Sequence, residues 1–216
     1  MNGVHYFWVS ISEMTIASRK QKEKKDKRSL ILDGARKIFL EKGYALASIR
    51  SIADEIDHSP GTIYLYFKDK DEIFHSLHEE GFARMLKQME PLRFVSDPFE
   101  RLKAMGRVYL DFAKNNKDFY DLMFVIQSPL KHETENDKWE MGTRTLDMLK
   151  DIVRQCQEAG RFKGKDINYL TFVIWSGVHG MATLYCHDRC LAFDDLKGED
   201  LLETGHKYFV EMLAKY

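Results

Sequence analysis

The chain has 216 residues, 44% hydrophobic and 31% charged, a balance that excludes an intrinsically disordered protein and allows one or two buried cores. Its net charge of −1 conceals an uneven distribution: residues 14–70 carry 13 Lys and Arg against 8 Asp and Glu, and the remainder is net acidic. A basic segment attracts a polyanion while an acidic remainder stays clear of it; three cysteines, an odd number, argue against a disulfide scaffold and for a reduced cytoplasmic interior.

Residues 1–13, MNGVHYFWVSISE, lack the basic flank and the long apolar run of a signal peptide or membrane span. Their composition differs from everything after them, and the expectation is that the natural chain starts at Met14. Residues 1–27 as a whole are expected to form a disordered or basic N-terminal arm. The run from Arg19 to Arg28 holds seven basic and two acidic side chains and no apolar anchor. It suits either a solvated lead into the first helix or an arm that follows a DNA groove.

Helix 1 is predicted from Ile31, Ala35, Ile38 and Phe39, which share one face, and its end from Gly43. Two short helices then follow across residues 48–67. Ser48 is placed to cap the first, with Ile49, Ile52, Ala53 and Ile56 at i, i+3, i+4, i+7 spacing. Asp57, His58 and Ser59 interrupt the pattern. Ser59 is placed to cap the second, Pro60 suits its first position, and Ile63 and Phe67 form its buried i, i+4 pair. The outline is a helix-turn-helix. Burying Ile63 and Phe67 turns Gly61, Thr62, Tyr64 and Tyr66 outward, with Lys68 and Lys70 beyond. Hydroxyls, a glycine that admits close backbone approach, and cationic side chains suit phosphate oxygens and base edges. Taken alone, two such tyrosines are more often half-buried packing residues.

The runs ILDGARKIFLEKGY, SIRSIADEI and SPGTIYLYFKDKDEIF together resemble the N-terminal DNA-binding domain of TetR-family transcriptional regulators, over about residues 28 to 75. The resemblance implies three helices, with Ser48, Thr62, Tyr64, Tyr66 and Lys70 as DNA contacts and Gly61 allowing close approach. Arg50, Ser59 and Lys68 complete the candidate set. Two positions depart from the family pattern: Asp57 stands where glycine usually makes the turn, and His58 where a small apolar residue usually packs. Asp tolerates the left-handed conformation better than most residues, so the turn is expected to survive; His58 receives no role.

Beyond Lys70 a longer helix is predicted through Ile73, Phe74, Leu77, Phe82, Met85 and Leu86 to a break at Pro91, as a rigid lever. Further helices are predicted at about 97–115, 118–127, 136–160, 166–187 and 199–215, with no sustained strand alternation. The fold class expected is therefore all-α, about nine helices: a helix-turn-helix domain at 28–75 and a helical effector-binding and dimerisation domain at 76–216.

The helix near 166–187 is apolar on every side and thinned by Gly177, Gly180 and Ala182. Such a helix must be covered all round, so one face is expected on its own domain and another on a second subunit, with the last helix beside it. The TetR resemblance implies the same homodimer, a palindromic double-stranded DNA operator, and a small hydrophobic or amphipathic effector that releases a repressor. Trp175, His179 and Gly180 resemble the Trp-His-Gly signature of one subclass of TetR C-terminal domains. Candidate effector residues are Tyr109, Phe112, Met123, Gln127, Trp139, Trp175 and His179, aromatic and methionine-rich with few polar groups. Each of them singly is better explained as plain core.

Other classes are weaker. Cys186 and Cys190 are four apart, close to His179 and His187, but a structural zinc site normally takes four closely spaced ligands. Glu72/His75 and Glu203/His206 are Glu-x-x-His half-motifs of a di-iron helical-bundle enzyme, which needs two more glutamates at the same point. A helical adaptor binding only proteins is the third reading. The expectation is a non-enzyme with no cofactor and no metal.

Overall fold

A left-handed glycine, two serine caps and two prolines set most of the boundaries in the computed structural model, which describes residues 3–127, 140–193, 196 and 198–215. Among these residues the regular structure is helical throughout: α1 (Gly3–Leu46), α2 (Ile49–Glu55), α3 (Pro60–Tyr64), α4 (Lys70–Met89), α5 (Pro98–Asn115), α6 (Lys117–Phe124), α7 (Glu140–Glu158), α8 (Ile167–Cys186) and α9 (Gly198–Leu213). Short 3-10 turns occupy Glu90–Phe94 and Arg189–Ala192. The all-α class predicted from periodicity is the one observed.

α1 is interrupted at Gly43, whose φ of 71° and ψ of 169° are open to glycine and strained for other residues. The basic run from Arg19 to Arg28 is part of α1, with its side chains exposed apart from the half-buried Lys27. Pro91 sits in the 3-10 turn after α4, where its missing N–H ends the α-helical ladder. Asp97 caps α5, accepting from Glu100 N at 2.8 Å, and Pro98 opens that helix.

The chain divides into two compact units, with the division falling between Leu77 and His78 and residues 126 and 127 assigned to the first. The core of the first unit joins Ile31, Ala35 and Phe39 of α1 to Ile52, Ile63, Phe67, Ile73 and Phe74, all essentially inaccessible to solvent. Phe74 packs edge-on against Phe39 and Tyr44, at centroid distances of 5.1 and 5.2 Å. These contacts hold α2 and α3 against α1 and leave the outer side of α3 free.

In the second unit α5 is the central element, packed by α6, α7, α8 and α9. α8 buries Thr171, Ile174, Val178, Ala182 and Cys186, one stripe at helical spacing. Gly177 lets α8 approach α9 closely: a methyl group there would lie 2.5 Å from the ring tip of Phe209. The opposite side of α8 is uncovered, with Tyr169, Phe172 and Val173 exposed by 78%, 62% and 55%. Cys186 ends α8 and Cys190 lies in the 3-10 turn beyond Asp188, whose φ is 56°. The two cysteines therefore do not share a helix face.

Candidate functional site

The helix-turn-helix is built by caps that use the predicted residues. Ser48 Oγ accepts from Ser51 N and Ser48 N donates to Ser51 Oγ, both at 3.0 Å, a reciprocal box that satisfies two free donors of α2. Ser59 Oγ accepts from Thr62 N at 3.2 Å and lies 3.1 Å from Thr62 Oγ1. The hydroxyls of Ser48 and Ser59 thus have structural work, and each is exposed and retains bonding capacity.

Between the two helices Asp57 adopts φ 54°, the left-handed conformation anticipated for it. His58 N donates to Ala53 O at 2.9 Å and Asp57 N to Asp54 O at 3.3 Å, the paired bonds of a Schellman ending. The His58 ring, left without a role by sequence reasoning, pins this corner. Its Nδ1 is 2.6 Å from Ile56 O and its Nε2 is 2.8 Å from Lys27 Nζ. An ammonium only donates, so Nε2 accepts and Nδ1 carries the proton given to the carbonyl. The only available signal was the departure of His58 from the family pattern.

On α3, Ile63 is buried, whereas Gly61 and Tyr64 are exposed and Thr62 and Tyr66 half-buried. Arg50 and Lys68 are exposed as well. Lys70 is half-buried, and its Nζ donates to Tyr44 O at 2.8 Å and Ala47 O at 2.9 Å while lying 4.1 Å from the Tyr44 ring centroid. Two of its three protons are thereby committed to the corner after Gly43, and one is left.

Within the second unit lies a cavity of about 100 Å³. Its wall is almost wholly apolar, with Met85, Met89 and Met105 among the lining side chains, and it includes Tyr109 and Trp175 from the predicted effector set. Phe112 and Met123 are buried in the core outside the wall, Gln127 is exposed, and Trp139 lies outside the described residues. His179 is also outside the wall. Its Nδ1 lies 2.8 Å from Tyr109 Oη and 3.2 Å from Tyr120 Oη, and Tyr120 Oη is 2.6 Å from Thr183 Oγ1. Burial pushes the His179 imidazole down and the Tyr120 phenol up to about 12, so this network is neutral at ordinary pH. The partner that a histidine in an apolar helix requires is thus supplied by the protein itself.

His206 lines the same cavity and is 5% exposed. Sequence reasoning placed it only in a metal half-motif, although Leu202, His206 and Phe209 form an i, i+4, i+7 stripe on α9. Glu203 is exposed while His206 is buried, and Glu72 Oε2 accepts from Lys68 N at 2.6 Å. Among the described residues no group of three or more His, Cys, Asp or Glu could hold a metal ion, and the di-iron reading finds no support. Nor, among the described residues, is any helix long and apolar enough to cross a membrane.

Residues 31–77 match the family model of "Bacterial regulatory proteins, tetR family", and residues 102–205 match "Tetracyclin repressor-like, C-terminal domain". The chain is similar to the fatty acid metabolism regulator protein of Bacillus subtilis (strain 168), 38% identical over 171 residues, which cover 76% of this chain and 86% of that protein. It is also similar to the HTH-type transcriptional regulator HbdR of Aromatoleum sp. (strain CIB), 26% identical over 164 residues, 73% of this chain and 69% of that one. Among solved structures it shares its fold with the transcriptional regulator FadR from Bacillus subtilis in complex with stearoyl-CoA, at 20% identity and TM-score 0.69, covering 84% of this chain and 97% of that one. AibR in complex with isovaleryl coenzyme A and operator DNA gives TM-score 0.71 at 18% identity, covering 87% and 97%. The capped helix pair and the helical body each meet a matching family description, and a 38% identical relative spans both: the chain belongs to the tetR family of bacterial regulatory proteins.

Proposed function

We propose that this protein is a transcriptional repressor that binds a palindromic operator as a homodimer and leaves it when an acyl thioester such as an acyl-CoA occupies the body. The observation that carries the DNA-binding part is the outer side of α3, where Gly61 and Tyr64 are exposed beside the half-buried Thr62 on a helix fixed at its start by Ser59 and Pro60. Ser48, Arg50, Ser59, Thr62, Tyr64, Tyr66, Lys68 and the third proton of Lys70 are the proposed contacts, with Gly61 admitting the backbone. Exposed cationic residues along the basic stretch of α1 supply further attraction to the duplex.

Dimerisation through α8 and α9 is supported by the apolar side of α8 that its own chain leaves uncovered, and by exposed Tyr208 and Met212 on α9. Gly180 has open space around its Cα, which allows a facing helix to come near. The effector class is supported by the apolar cavity and by the 38% identity to a fatty acid metabolism regulator.

Selection of genomic fragments retained by the purified protein, followed by mobility-shift titration with and without stearoyl-CoA, tests the proposal. The expected result is a two-fold symmetric site with half-site centres about 34–36 Å apart or a multiple of that, released by the thioester. Retention of random duplex as well as genomic fragments, or an unchanged shift with the thioester present, would overturn the corresponding half.

A further inference from the structure

We infer that His206, packed over Gly106 in the wall of the α5–α9 cavity, is the hydrogen-bonding anchor for the carbonyl of an acyl effector and so a determinant of its specificity. The inference rests on the acyl thioester reading above and assigns a residue to it.

The polar groups facing the cavity differ in how far they are satisfied and buried. Lys103 is paired with Glu100. Thr145 Oγ1 donates to Met141 O at 2.9 Å. Tyr109 bonds to His179, and Trp175 is only half-buried. His206 is different: among the described residues neither ring nitrogen is hydrogen-bonded, although the residue is only 5% exposed. Leaving so buried a polar group without a partner is costly, and a ring held beside a cavity in that state is suited to take a ligand.

Its placement is also built. A methyl group at Gly106 would lie 2.6 Å from His206 Nε2 and 3.4 Å from Val178 Cγ1, so the glycine makes the space in which the imidazole sits against α5. Any side chain at that position would displace the ring from the cavity wall.

The chemistry of the group narrows the ligand. Burial lowers the basicity of His206, and Arg107 nearby lowers it further against a smaller opposing influence of Asp111. A neutral imidazole has one N–H to give and no charge to attract an anion, which favours the carbonyl of a thioester or ester over a free carboxylate. At about 100 Å³ the cavity is smaller than the roughly 150 Å³ that accommodates benzene, so it takes at most a short chain as it stands. Met85, Met89 and Met105 are flexible enough to open it for longer ones.

The test uses the full chain, with butyryl-, octanoyl- and palmitoyl-coenzyme A and the matching free fatty acids as probes. Calorimetric titration of the wild type, His206→Leu and His206→Gln should show thioesters binding the wild type more tightly than acids, about tenfold weaker binding to His206→Leu, and partial recovery with the glutamine amide. Nitrogen-15 spectra of the histidines in the wild-type protein give a readout that no substitution can confound: the His206 ring signals should move when thioester is added. Equal thioester binding by wild type and His206→Leu, or unmoved His206 signals in the bound wild type, would overturn the inference and leave the effector reading standing. Failure of the wild type to bind any of the thioesters would overturn both.

Discussion

Lys27 of α1 and His58 of the turn between α2 and α3 meet with Nζ 2.8 Å from Nε2, joining residues 31 apart in sequence. The contact fastens the corner that sets the angle of α3 to the end of the basic stretch of α1. Lys27→Met should lower stability by about 0.5–1.5 kcal/mol, the net worth of one such hydrogen bond. A double-mutant cycle with His58→Ala, read by urea denaturation, should give a coupling energy of similar size; additive losses would mean the two residues act separately.

The turn itself depends on φ 54° at Asp57. Asp57→Gly should be neutral or slightly stabilising. Asp57→Val should cost about 1–2 kcal/mol, because a β-branched residue resists the left-handed region. Chemical denaturation of both variants checks the difference in sign.

Tyr64 and Lys70 are both proposed DNA contacts, yet their substitutions should behave differently. Tyr64 is 58% exposed, so Tyr64→Ala should weaken operator binding by about 1–3 kcal/mol with the melting temperature unchanged. Lys70→Ala removes the donor to two carbonyls, of Tyr44 and Ala47, and should lower both operator affinity and stability, the latter by about 1–3 kcal/mol. Anisotropy titration and thermal melting of the same samples separate the two effects.

Gly177 faces Phe209 at a distance that leaves no room for a methyl group. Gly177→Ala should therefore separate α8 from α9 and destabilise the chain by about 1–3 kcal/mol, the usual cost of overpacking. Gly177→Ala combined with Phe209→Leu should recover part of the loss in a thermal melt.

His179 and His206 both titrate below the ordinary histidine value of 6.5 in the folded chain, chiefly because burial disfavours the imidazolium. Between the folded and unfolded values the unfolded chain binds more protons, so this contribution to stability is complete above about pH 6.5 and declines as the pH falls through the folded values. The groups around them are Tyr109 and Tyr120 for His179, and Arg107 and Asp111 for His206. Melting temperatures should drop between about pH 7.5 and pH 5.5, and less so in His206→Gln, since of these two histidines only His179 then contributes.

What could be known from the linear chain was local. Helix positions follow from apolar spacing, the starts of α2 and α3 from Ser48 and Ser59, the break in α1 from Gly43, and the uncovered side of α8 from an apolar pattern with no polar face. Each depends on residues within about two turns of one another, a range over which helical geometry is fixed by the backbone alone. Packing decided the rest. Which histidine is satisfied and which is not, 179 or 206, turns on whether a tyrosine 70 residues away reaches it. That Lys70 braces the corner after Gly43, and that Lys27 holds His58, depends on contacts between elements 23 to 31 residues apart. Side-chain polarity can be read from a sequence, but its satisfaction depends on which neighbours the folded core brings within three ångströms, and no periodicity carries that information.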